Sequence, residues 1–187
     1  MKTLITVLTL AALTLSLPAI AQDTPEPSLA EMRQEMFAKL KEISDRLEGA
    51  EKTHFNLAYS NHSLIGTVRT VQNDVSNAIT ACGENNPEMR GQLNARFTTW
   101  NEAISPIMLE AQGHLDNMII AQTYAPEADI KGVFKVMSDT RAKAQTEIEK
   151  IPVTTPEACQ YLLDKMDETQ ISMAGLLRRT LISTPAK

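Results

Sequence analysis

The sequence predicts an all-α fold: an antiparallel four-helix bundle with an extended, coiled-coil-like first helix. Three observations carry that expectation. Apolar residues recur at helical spacing over long stretches, prolines sit where helices tolerate them, and no segment alternates with period two for long enough to make a strand.

The chain of 187 residues carries a formal net charge of −5. Residues 1–21 read as a secretory signal peptide: Lys2 is the basic n-region, Leu4 to Leu17 an uncharged apolar run, and Ala19-Ile20-Ala21 an A-x-A cleavage site. Residues 22–27, with Pro25 and Pro27, form a polar leader expected to be disordered. A single helical domain then spans 28–183, with a tail at 184–187. An acidic, exported chain has no basic surplus to neutralise phosphates, which argues against nucleic acid as a partner. No stretch after the leader approaches the ~18 apolar residues of a membrane span.

The first helix is expected over about 28–82. Ser28-Leu29-Ala30-Glu31 has the form of a capping box at its start, and Gly83 stands at a C′ position after Cys82. One heptad position reads Leu29, Met36, Ile43, Ala50, Leu57, Leu64, Val71, Ala78. Its partner reads Arg33, Leu40, Leu47, His54, Asn61, Val68, Val75, Cys82. All but Arg33, His54 and Asn61 are apolar and the phase never slips, which favours one continuous helix over a break and fold-back at either weak point, Gly49 or the Tyr59-Ser60-Asn61-His62-Ser63 stretch. Pro87, Pro126 and Pro156 open the other three helices, at about 87–122, 126–150 and 156–182. Asn86 and Thr155 are candidate N-caps. Their core stripes run through Leu93, Phe97, Trp100, Ile104, Ile107, Ala111, Leu115 and Met118, through Ile130, Phe134, Met137, Ala144 and Ile148, and through Leu163, Met166, Met173 and Leu177.

Short connections make successive helices antiparallel, so Cys82 and Cys159 arrive at the same end. In an oxidising compartment they are expected to form a disulfide. The helix lengths also leave residues 28 to about 46 overhanging the second helix. Leu29, Met32, Met36, Phe37, Leu40 and Ile43 of that arm form an apolar stripe expected to bind a protein partner or a second copy of the chain.

The search for chemistry finds no haem-attachment motif, no H-E-x-x-H, no G-x-S-x-G and no phosphate-cradling glycine loop. No catalytic residue is assigned and no cofactor is expected. Glu51 and His54 have the i, i+3 spacing by which bundles chelate iron or manganese, with Glu110 and His114 as the nearest second pair. The two pairs fall about 11 Å apart in height, so they are weak metal candidates, and His54 reads more simply as a polar seam residue. Met137, Met166 and Met173 lie on seams and would have to face a histidine to ligate haem. The leading reading is therefore a periplasmic or secreted, non-enzymatic binding, scaffolding or chaperone-like module. A metal- or haem-binding bundle for redox or storage is the alternative, and a carboxylate-based hydrolase stands third.

Overall fold

The computed structural model describes residues 26–182. The expected signal peptide of residues 1–21, residues 22–25 of the leader and the tail lie outside the described residues. These form five helices and no strand: α1 (Leu29–Ser44), α2 (Gly49–Asn85), α3 (Arg90–Ala121), α4 (Glu127–Glu147) and α5 (Pro156–Ile182).

The expected first helix is two helices. Asp45 to Glu48 make a turn, with Arg46 N–H donating to the Ile43 carbonyl and Leu47 N–H to that of Ser44. Gly49 starts α2 at φ +52°, a left-handed conformation that favours glycine. Heptad counting misses this break because Leu47, inside the turn, is itself buried, so the apolar spacing survives while the chain changes direction. Ser28 and Glu31 do form the capping box of α1.

Other helix ends shift for identifiable reasons. Helix α2 continues through Gly83 to Asn85, and the Gly83 carbonyl accepts from Arg90 Nε at 3.0 Å. Asn86 is not the N-cap of α3. It is buried, and its Nδ2 donates to the carbonyls of Cys82 and Thr154 and toward Cys159 Sγ. Pro87 to Met89 therefore form a turn, and α3 starts at Arg90. Thr155 caps α5, its Oγ1 accepting from Ala158 N–H at 3.2 Å.

Cross-helix pairs give the helix directions. Along α2 and α3, His54 meets Tyr124, Gln72 meets Asn101 and Gly83 meets Arg90, so the two run oppositely. Helix α5 also runs against α2: Cys82 and Cys159 form a disulfide, with Cα atoms 5.7 Å apart, and Asn61 Nδ2 reaches the Thr180 carbonyl far along α5. Helix α4 runs alongside α2, with Ser138 beside His62 and Lys150, just past the helix, paired with Asp74. Helices α2, α3 and α5 pack closely on one another, whereas α1 packs chiefly on α4.

The core holds most of the three stripes read from α3, α4 and α5, centred on fully buried Trp100, Leu93, Ile104, Leu115, Ile130, Met166 and Leu177, while Phe97, Ile107 and Ala144 are half-buried and Ile148 is exposed. In α2 one seam is as expected, through Asn61, Val68 and Cys82. The second passes through Ala58, Ile65, Gln72 and Ile79, one residue beyond the expected Leu57, Leu64, Val71 and Ala78. Gln72 is tolerated there because its Nε2 donates to Asn101 Oδ1 at 2.8 Å.

The arm is not left overhanging. Folded back by the turn, it buries Ile43 and packs Met36 and Leu40 against the core, while Leu29 and Met32 are half-buried. Phe37 alone of the stripe is largely exposed, at 63%.

Candidate functional site

The residues picked out for metal binding do not converge. His54 Nδ1 lies 3.1 Å from Tyr124 Oη, with the rings edge to face, and burial lowers the His54 pKa. Tyr124 is pushed up to about 12 by burial and then by the negative charge of Glu51. The Glu51–His54 pair thus meets a tyrosine. Glu110 is exposed, and His114 Nε2 is buried without a hydrogen-bond partner. Among the described residues no three His, Cys, Asp or Glu side chains come together as a metal-holding group. No described helix is long and apolar enough to cross a membrane.

A different place gathers unusual chemistry: the groove between α2 and α4. At position 66 of α2 a glycine leaves room for the Arg141 guanidinium of α4. A Cβ built on Gly66 would lie 1.4 Å from Arg141 Nη1, so the guanidinium occupies the space that any other side chain would fill. Arg141 Nη2 donates to the Ser63 carbonyl at 3.1 Å and to Ser63 Oγ at 3.4 Å. Burial lowers the Arg141 pKa, and the positive charge of Arg69 lowers it further, partly offset by Tyr59. Neither arginine has a carboxylate partner within ion-pair distance among the described residues.

The two arginines line a cavity of about 330 Å³ whose other walls include Thr70, Asn73, Gln112 and Gln145. His62, at its edge, stacks on Phe134 at 4.5 Å and faces Ser138 Oγ at 3.2 Å. Burial holds its pKa down to about 4, with Arg141 and Arg69 adding to the shift, so the ring is neutral at pH 7. The cavity's one carboxylate, Asp74, is neutralised by Lys150 at 2.5 Å.

Asp74, Gln145 and Lys150 also border a second cavity of about 490 Å³, so the two compartments adjoin, with the Asp74–Lys150 pair at their junction. The second is apolar, walled by Ala78 and Ala81 of α2 and by Ile148, Ile151, Pro152 and Val153 of the segment after α4. Ile148 and Ile151 are 54% and 88% exposed. The expected third helix ran to 150 and placed Ile148 in its core. The helix instead ends at Glu147, and this extended segment becomes the groove wall.

Sequence reading assigned none of these residues to a binding site. The one signal available was a glycine in the middle of a long helix, which costs about 1 kcal/mol relative to alanine and so asks for a packing reason. No family model matches the chain, and no curated protein or solved structure is significantly similar to it.

Proposed function

We propose that the chain is an exported, non-enzymatic binding module: an antiparallel bundle of α2 to α5 with α1 folded back on α4, whose ligand site is the α2–α4 groove. The observation that carries this reading is Arg141, seated against Gly66 beside Arg69 with no carboxylate to balance either. Arg141 is a partly desolvated cation without a counter-charge, which costs free energy that an incoming anion relieves, and exposed Arg69 adds a second positive charge beside it. The adjoining apolar compartment adds the second half of a small-molecule site, whose usual volume is roughly 300–1,000 Å³.

The signal-peptide pattern of residues 1–21 and the Cys82–Cys159 bridge both support a periplasmic or secreted location, where disulfides persist. The arm of α1 supports an association surface less than the groove does, because its apolar stripe is largely occupied by α4.

The test uses anilinonaphthalene sulfonate, a probe with one anionic group on an apolar ring system, added to the folded protein well below its melting temperature. The expected result is one bound probe per chain, with binding weakened by Arg69→Gln and by Arg141→Gln, the melting temperature holding in the first and falling by no more than about 4 °C in the second, which loses the hydrogen bonds to Ser63. Unchanged binding in both variants would refute the assignment of the groove.

A further inference from the structure

We infer that the groove takes a single-chain anionic phospholipid, its phosphate head in the arginine compartment and its acyl chain along the apolar wall. The inference rests on the reading of the groove as a binding site and adds the class of ligand.

Charge sets the head. With Asp74 paired to Lys150 and His62 neutral, the lining of the polar compartment keeps the two positive charges of Arg69 and Arg141. Arginine forks match phosphate oxygens in a bidentate way. Volume separates a phosphate-bearing head from a bare carboxylate. At the ~30 Å³ that a water occupies, 330 Å³ corresponds to roughly ten waters, far more than a carboxylate displaces. The amide and hydroxyl groups of Thr70, Asn73, Gln112 and Gln145 offer partners to a hydroxylated head such as glycerol phosphate.

Volume also sets the tail. If a methylene fills about as much space as a water, ~30 Å³, the apolar compartment of about 490 Å³ has room for on the order of fifteen methylenes, the length of one acyl chain. The compartments share Asp74, Gln145 and Lys150, so head and chain enter as neighbouring parts of one molecule.

Isothermal titration of the disulfide-intact protein with myristoyl lysophosphatidylglycerol, below its micelle concentration, tests this. One molecule should bind per chain. Arg141→Gln and Arg69→Gln should each weaken binding about tenfold or more, the loss expected for a charge-assisted hydrogen bond. Ile151→Ser should weaken it through the chain. Arg69 makes none of the hydrogen bonds that hold the two helices, so its variant keeps the test valid should Arg141→Gln disturb the fold. Myristoyl lysophosphatidylcholine, whose added cation meets the arginines, and sodium myristate, which lacks the phosphate head, should both bind more weakly. Equal affinity for all three lipids would overturn the inference. So would failure of the lysophosphatidylglycerol to bind while the sulfonate probe still binds, and loss of both would instead remove the groove as a site.

Discussion

Gly66→Ala separates the position of the Arg141 guanidinium from its presence. The new Cβ would lie 1.4 Å from Nη1 and 2.5 Å from Cζ, so the guanidinium must leave, and it can because it ends a flexible side chain. Alanine in the interior of α2 adds about 1 kcal/mol of helix stability. Against this stand the two hydrogen bonds from Nη2 to Ser63, one of them long at 3.4 Å. At a half-buried site they are worth about 1 kcal/mol together after solvent screening. The two effects nearly cancel. The melting temperature should therefore move by no more than about 4 °C, the equivalent of roughly 1 kcal/mol for a domain of this size. Binding of the sulfonate probe should nevertheless fall about tenfold, because the cation is no longer held in the cavity. Calorimetric melting and probe titration on the same preparation read both quantities. Unchanged binding would show that the seated guanidinium does not matter. A loss of more than ~2 kcal/mol of stability would show that α2 and α4 separate instead of Arg141 yielding.

Three further outcomes follow from the packing. Replacing Cys82 and Cys159 together by serine opens a loop of sequence separation 77 and should cost about 4–5 kcal/mol, lowering the calorimetric melting temperature while the far-ultraviolet helical signal persists at low temperature; no shift in melting would refute it. Ile43→Ala should cost ~2–5 kcal/mol in urea unfolding and Phe37→Ala less than ~0.5, and the reverse order would mean that α1 is not packed as described. His62 has a folded pKa of about 4 against 6.5 unfolded, so protons bind the unfolded chain first. Its contribution is constant above pH 6.5 and destabilises the fold as pH falls from 6.5 to about 4. Denaturant titrations of His62→Gln should show a shallower loss across that window, and an identical slope would refute the assignment.

Much of the fold was legible because its cues were local. The stripe of α3 from Leu93 through Leu115 is apolar at nearly every core position, and the prolines before α4 and α5 mark their starts closely. The α2 seam was half legible. Asn61, Val68 and Cys82 lie where the pattern puts them, but the true second row includes Ala58 and Gln72, which hydropathy ranks below Leu57 and Val71. The turn at 45–48 escaped because apolar spacing records separation along the chain and not direction. The groove was illegible for a deeper reason. Gly66 and Arg69 lie on α2 but Arg141 lies on α4, and a bare arginine looks solvated until the missing Cβ beneath it is seen. Ile148 and Ile151 become a wall only because α4 stops at Glu147.

The packing of α1 chiefly on α4, with α2, α3 and α5 tied together and the bridge joining α2 to α5, has a kinetic consequence. The α1–α4 pair can open as a unit while the other three helices and the disulfide stay intact, so its amides should exchange with solvent sooner than those of α2 or α5. The groove lies on the seam between these two cooperative units. A molecule bound there would be gripped from both sides, and every opening of the outer unit would first have to release it. Occupancy would then register as slowed exchange along α4, far beyond the residues in contact, its protection free energy rising with the logarithm of concentration over dissociation constant.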